Sequence, residues 1–366
     1  MTLSTVLLVA AGVRPGMTSK TVVQGALNLD GTIDFRSILK DVILFTFVIE
    51  GVGALILLYY FLPQRSLSEA VYMSVFHSVS AFCNAGFALF PDSFIGFQGT
   101  WGFNITICLL IISGGIGFFV LSEIKRKAPL TRRAFLRLSL HSKIALSASF
   151  ILIVSGTILI TLMEWDNTFS GLSVPEKLLT GLFQSVTART AGFNTIPVGN
   201  MANEALFFII LLMFIGASPG SCGGGIKTST AACLYSLGLS RLKGFEKPRI
   251  FKRSISQETI GRAASVTMVG MLVVVLATML MCVTEKGVDS STVARGRFIE
   301  VLFEVVSAFG TVGLSTGITF TLSAAGKLLI TAVMFIGRLG PLVVAMAVSR
   351  TSAPRYYYAE ENIMIG

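Results

Sequence analysis

Apolar residues in this chain gather into long runs separated by short polar stretches. Runs at 38–62, 101–124, 144–163, 206–239, 263–283 and 324–348 can each cross about 30 Å of hydrocarbon as a helix, which takes roughly 20 residues. The run at 206–239 is interrupted by glycine and proline. A further apolar stretch at 3–12 is half a span, with neither the basic lead nor the cleavage site of a signal peptide. Between runs two and one, four and three, and six and five the linking chain is moderately apolar with glycine-rich centres. It is too hydrophobic for a solvated loop and too broken for another span. Non-helical backbone at membrane depth is tolerated only when buried in protein or lining a water-filled path. The pattern therefore predicts re-entrant hairpins, each a short helix going down and extended chain coming back.

Composition agrees with a chain solvated by lipid. Of 366 residues, 53% are apolar before the 36 glycines are counted, and only 13% are charged. A mean hydropathy of +0.78 leaves too little polar surface to cover a soluble globule. The net charge of +10 would suggest nucleic acid in a soluble protein. Here the basic residues sit between apolar runs and report orientation instead. Lys125, Arg126, Lys127, Arg132, Arg133, Arg137 and Lys143 fill one connection, and Arg241, Lys243, Lys247, Arg249, Lys252, Arg253 and Arg262 another. Such loops stay cytoplasmic. Arg14, Lys20 and Arg36 near the start and Arg350 and Arg355 near the end agree, so both termini are expected inside a bacterial plasma membrane. Cys83, Cys108, Cys222, Cys233 and Cys282 are scattered and read as small apolar fillers, with no metal site or disulfide framework implied.

The hairpins repeat. Phe76-His-Ser-Val-Ser-Ala-Phe-Cys-Asn-Ala-Gly-Phe87 matches Phe183-Gln-Ser-Val-Thr-Ala-Arg-Thr-Ala-Gly-Phe193 with a one-residue gap, and Phe303-Glu-Val-Val-Ser-Ala-Phe-Gly-Thr-Val-Gly-Leu314 follows the same plan. Gly86, Gly192 and Gly313 mark the centres, 106 and 121 residues apart. Each copy lies between two spans and enters from the same side, which makes parallel repeats about an axis along the membrane normal. A short helix followed by extended backbone can turn carbonyl oxygens toward that axis, where they replace the water shell of a cation. Asn84, Ala85, Gly86, Thr190, Ala191, Gly192, Thr311, Val312 and Gly313 are the candidate carbonyl donors. The alternative is packed hairpins broken by glycine, which three copies in register disfavour.

Two further features stand out. Gly216, Gly220, Gly223, Gly224 and Gly225, with Ser218, Pro219 and Lys227, interrupt the fourth run over 216–228, and no membrane helix continues through them. A merely kinked helix is the alternative. The segment resembles a Walker A loop only superficially, because Ile226 separates the last glycine from the lysine and no βαβ context surrounds it. Arg338 lies inside the last run, where a charge costs about 2.5–3.5 kcal/mol on insertion scales and so faces a pore or a partner. Glu50, the acid inside another run, is the alternative partner. His77, Arg189 and Glu304 lie near the glycine centres and are expected to brace carbonyls.

The motifs ending at Phe87, Phe193 and Leu314 resemble the filter segments of the Trk/Ktr/HKT potassium transporters, closest to the Ktr membrane subunit, over essentially the whole chain. The terminal stretch Glu360-Glu361-Asn362-Ile-Met-Ile-Gly366 resembles the Ktr end as well. The resemblance implies an all-α integral membrane fold in which span, pore helix, filter and span repeat around a pore. It implies potassium uptake by a channel-like subunit, with no organic cofactor. It also implies an intramembrane gate at 216–228, a pore-facing Arg338, a homodimer, a cytoplasmic ring of nucleotide-binding regulatory subunits, and sodium coupling. In these terms 1–12 is a remnant of the last span of a first repeat, and 13–37 a cytoplasmic loop. The second repeat is 38–124, the third 144–239 and the fourth 263–349, joined by basic loops at 125–143 and 240–262, with a tail at 350–366. Three complete repeats plus a partial first one depart from the family's four. The expectation is that Met1 lies inside a longer reading frame, the alternative being a non-conducting fragment or an assembly subunit.

Overall fold

A computed structural model of the chain describes residues 35–127, 132–245, 247–285 and 297–340. The expected remnant at 1–12, most of the loop at 13–37, the end of the last run and the tail at 350–366 lie outside the described residues.

Three helix–pore helix–helix units follow one another. The first is α1 (Phe35–Phe61), α2 (Leu67–Phe82) and α3 (Trp101–Ile116). The short α4 (Phe118–Lys127) and α5 (Arg132–Arg137) lead to the second, α6 (Leu140–Met163), α7 (Val174–Thr187) and α8 (Asn203–Phe214). After α9 (Thr228–Leu242) comes the third, α10 (Gln257–Thr284), α11 (Phe298–Gly310) and α12 (Ala324–Leu339). The serines before the entering helices cap them: Ser139 Oγ accepts from Ser142 N, Ser256 Oγ from Thr259 N and Ser323 Oγ from Gly326 N. A capping box between Ser173 and Glu176 starts α7.

Three of these helices are long and apolar enough to cross a membrane, over Lys40–Phe61, Leu140–Met163 and Gln257–Thr284. Their outward faces carry Phe47, Leu55, Tyr59, Phe150 and Met268 in the open, as a lipid-facing wall does. The run at 101–124, expected as one span, is instead broken at Gly117. There the chain takes φ +95° and α4 leaves α3 at 93°. The 16 residues of α3 rise about 24 Å at 1.5 Å each, and the bend is set by what Gly117 packs on, described below. The basic connection at 240–262 also departs from pure helix. It holds a two-residue antiparallel ladder, β1 (Arg249–Ile250) with β2 (Arg253–Ser254), closed by Phe251 and Lys252 at φ +50° and +61°.

Two apolar cores hold the units together. Leu57, Phe61, Phe82, Phe103 and Ile107 join α1, α2 and α3, and Phe183 and Phe193 of the next unit enter the same cluster. Phe94 stacks on Phe193 with centroids 4.8 Å apart, which ties the chain after the first turn to the end of the second. The other core runs from Ile160 through α8 to Phe303, Phe309 and Val333. Contacts between units follow one rule: α3 packs on α7, and α8 packs on α11. The units are thus arranged in sequence order around a common centre.

Candidate functional site

Each pore helix ends in the same turn. Asn84, Thr190 and Thr311 have φ of +50°, +77° and +49°, and two residues on Gly86, Gly192 and Gly313 have +74°, +87° and +94°. Left-handed residues cost a side-chain-bearing residue energy, so the same strained geometry three times over is built in rather than incidental. Alternating backbone hand turns successive carbonyls to one side and successive N–H groups to the other, the arrangement by which peptide groups line an ion path.

The turns are held by hydroxyls. Ser80 Oγ donates to Phe87 O at 2.8 Å and accepts from Phe87 N at 2.9 Å. Thr187 Oγ1 donates to Phe193 O at 2.7 Å. Ser307 Oγ donates to Leu314 O at 2.6 Å and accepts from Gly313 N at 3.2 Å. In every copy the last hydroxyl of the pore helix clamps the residue that follows the glycine. Sequence reasoning did not single these side chains out, although a hydroxyl in the same register of each copy was the available signal.

The three glycines are neighbours. A Cβ on Gly86 would overlap Ala191 O and lie 3.2 Å from Gly192 Cα; a Cβ on Gly192 would overlap Val312 O and lie 3.2 Å from Gly313 Cα. On Gly313 the same addition meets only Gly192 Cα, at 3.6 Å. The turns therefore step round a centre in the order 86, 192, 313. On the far side of the first turn Ala85 and Phe87 are exposed, Phe87 by 68%. Asn84 and Thr190, both buried, bridge the first two turns through a 3.1 Å hydrogen bond. With the Asn84 amide nitrogen on Ala81 O and Ile111 O and its oxygen on Thr190 Oγ1, every partner is satisfied.

The 216–228 segment is a loop, not a kinked helix, and it lies directly against these turns. Its ends are clasped by a parallel bridge between Ile215 and Ile226, with Gly216 N donating to Ile226 O at 2.8 Å. Gly223 and Gly224 are pressed on the turns so closely that a Cβ on either would overlap the Thr190 or the Thr311 hydroxyl. These glycines serve close approach, a requirement of tertiary packing. Lys227 Nζ donates to Gly223 O at 2.5 Å, and Ser218 and Thr228 share a hydroxyl contact at 3.0 Å. On its other side the loop rests on the break between α3 and α4. Ser218 N donates to Gly115 O at 3.0 Å, Cys222 N to Gly114 O at 3.4 Å and Phe118 N to Gly220 O at 3.2 Å.

Arg338 is exposed at the end of α12, beside Gly337, whose Cα sits hard on Phe309 O of α11. Among the described residues no ion pair joins it to Glu50. The Glu50 carboxylate lies instead 4.0 Å from Cys83 Sγ. His77 donates from Nδ1 to Met73 O and accepts the Leu89 N–H at Nε2, 3.1 Å away, so it is a neutral brace for the chain beyond the first turn. Glu304 does the same in the third copy, accepting from Ser315 and Thr319 hydroxyls. Arg189 is different: its guanidinium reaches Ser149 Oγ on α6 at 2.9 Å, and among the described residues no hydrogen bond joins it to a turn carbonyl.

Comparison with known proteins places this architecture. The family model TrkH, described as a cation transport protein, matches residues 29–355. The Ktr system potassium uptake protein B of Vibrio alginolyticus is 36% identical over the whole of this chain and 78% of its own length. The protein of the same name from Bacillus subtilis (strain 168) is 35% identical over the whole chain and 80% of its own length. The potassium/sodium uptake protein NtpJ of Enterococcus hirae is 36% identical over 95% of this chain and 76% of its own. In structure, the potassium transporter TrkH from Vibrio parahaemolyticus shares the fold with a TM-score of 0.72 at 16% identity, covering 90% of this chain and 68% of that one.

Proposed function

This chain belongs to the TrkH family of cation transport proteins, and from that premise we propose that it takes up potassium across the plasma membrane as a channel-like subunit. The family is one of integral membrane transporters and not of enzymes. The observation that carries the reading is the stepwise contact of Gly86, Gly192 and Gly313, each in a left-handed turn at the end of a pore helix. Carbonyls of Asn84, Ala85, Gly86, Thr190, Ala191, Gly192, Thr311, Val312 and Gly313 replace the hydration shell of the ion. Below them the 216–228 loop blocks the path with Gly223 and Gly224, and the Arg338 charge repels a cation there.

The same reading includes sodium dependence, which draws on the name of the Enterococcus relative. It includes a homodimer with a cytoplasmic nucleotide-binding regulatory ring, and cytoplasmic termini, which draw on the basic loops and on family resemblance. Reconstitution of the chain into vesicles, with potassium and sodium uptake measured in parallel, tests it. Potassium entry above that of protein-free vesicles, and in preference to sodium, is the expected result.

One observation favours a second reading, a unit that does not conduct by itself. Among the described residues an added Cβ on Gly313 meets only Gly192 Cα, and Ala85 and Phe87 are exposed. Vesicles carrying correctly folded chain with no cation uptake would put this reading first.

A further inference from the structure

A buried cation lies beside the second filter turn with part of its hydrogen-bonding capacity unused. Arg189 follows the C-terminal end of α7, immediately before Thr190, and is only 6% exposed. Its guanidinium donates to Ser149 Oγ at 2.9 Å, but its Nε–H has no hydrogen-bond partner among the described residues. A guanidinium keeps its charge in a protein interior, so the charge must be compensated where it lies. Among the described residues no carboxylate pairs with it. Arg189 and Val186 instead line a cavity of about 10 Å³ together with Ile111, Ile112 and Gly115 of α3. Those three belong to the last two turns of α3, whose final carbonyls lack partners within the helix and carry its negative pole. Two of these carbonyls hold the 216–228 loop: Gly115 O accepts from Ser218 N at 3.0 Å and Gly114 O from Cys222 N at 3.4 Å. The opposite side of the loop rests on Thr190, where a Cβ on Gly223 would overlap the hydroxyl. Arg189 thus adjoins both surfaces that grip the loop.

We propose that the cavity binds one water molecule, which accepts from Arg189 Nε and donates to Gly115 O, and that this bridge fixes the second filter turn and the seat of the loop as one piece. The volume suits that ligand, since a single water needs about 10–15 Å³. A cation of the same size is excluded by the guanidinium itself. A carbonyl oxygen accepts two bonds, and Ser218 N takes one of those at Gly115, which leaves the other for the water. The remaining walls, Ile111, Ile112 and Val186, are apolar, so the water has one polar partner from each helix. Without this bridge the end of α3 is free to draw away from Thr190, which widens the grip on the loop and lets the path leak. Arg189 is therefore a positioning residue, acting on the ion path through the loop's seat. That consequence rests on the proposed role of the loop as a gate.

The test uses the full chain, with two readouts. A density map of the wild type sharp enough to show buried waters is expected to place one within hydrogen-bond distance of both Arg189 Nε and Gly115 O. Resting potassium leak from loaded vesicles is expected to rise in Arg189→Met, an apolar side chain of similar length without donors. The rise should be roughly tenfold, the factor that a hydrogen bond to a charged group is worth. Arg189→Lys, which keeps the charge at the end of α3, should recover part of the block. Val186→Ile keeps the arginine and fills the cavity, so it should fold, expel the water and raise leak as well; it carries the test if Arg189→Met does not fold. Lys177→Met is the comparison for stability alone. It removes a buried cation at the other end of α7, bonded to Trp165 O at 2.6 Å, and should lower the thermal midpoint with leak unchanged. A map that resolves other buried waters and none here overturns the site. A water in place, with leak no higher in Arg189→Met and Val186→Ile than in Lys177→Met, overturns the coupling. Unchanged leak in Gly223→Ala overturns the gate reading instead, and the map still decides the water.

Discussion

The Asn84 amide and the Thr190 hydroxyl meet at 3.1 Å across 106 residues of sequence, each at the left-handed start of its own turn. This bond is one of the ties between two repeats, at the level of the proposed filter. Asn84→Leu leaves the Thr190 hydroxyl buried without that partner, which costs about 1–3 kcal/mol. A lowered thermal midpoint in detergent and weaker discrimination of potassium from sodium are expected. In a double-mutant cycle with Thr190→Val the coupling should exceed about 0.5 kcal/mol; strict additivity would show that the contact is idle.

Gly192 and Gly313 should respond differently to the same substitution. A side chain on Gly192 overlaps the Val312 carbonyl, whereas one on Gly313 meets only Gly192 Cα at 3.6 Å. Gly192→Ser is therefore expected to yield little folded protein. Gly313→Ser should fold, with strain of roughly 1–2 kcal/mol from its left-handed φ, and should lose potassium over sodium selectivity in a flux assay. Unchanged selectivity in folded Gly313→Ser would remove that glycine from the filter.

The loop glycines offer a contrast with a glycine that packs on nothing. Gly223→Ala and Gly224→Ala should lift the loop off Thr190 and Thr311 and raise resting cation leak. Gly238→Ala, in α9 with no atom within 4 Å of an added Cβ, should stabilise by roughly 0.5–1 kcal/mol and leave leak alone. Leak that rises equally in all three would mean that the loop's seat is not what restrains the ion.

Arg338→Ala tests the charge beneath the turns. A unit charge about 10 Å from the path contributes about 1–2 kcal/mol at an effective dielectric near 20, so removal should raise cation flux by roughly tenfold. Arg338→Lys should restore most of the block. Equal flux through wild type and Arg338→Ala would leave the arginine without a gating part.

The hydroxyl clamps predict graded loss. Thr187→Val removes the bond to Phe193 O and should cost about 1 kcal/mol, while Thr187→Ser keeps it. Thermal midpoints of the pair, measured side by side, separate the bond from the methyl group.

Much of this molecule was legible without coordinates, and the legible part has a common character. Apolar runs, basic connections, the three copies of one motif and the glycine at the centre of each are local patterns. They are dictated by what a lipid-solvated helix and a left-handed turn require of nearby residues. Tertiary structure decided the rest, because it depends on which distant segments share a neighbour. Gly117 breaks its run at a right angle where the loop carbonyls of Pro219 and Gly220 lie so close that a Cβ would overlap the first of them. The loop glycines looked like helix breakers and act as places where backbone can lie against Thr190 and Thr311. Arg338 and Glu50 were each free to pair by sequence alone, and packing set the Glu50 carboxylate beside Cys83 instead. Periodicity and motif report the requirements of a segment's own backbone, whereas contacts across a hundred residues are set by packing, where one small residue determines how closely two chains approach.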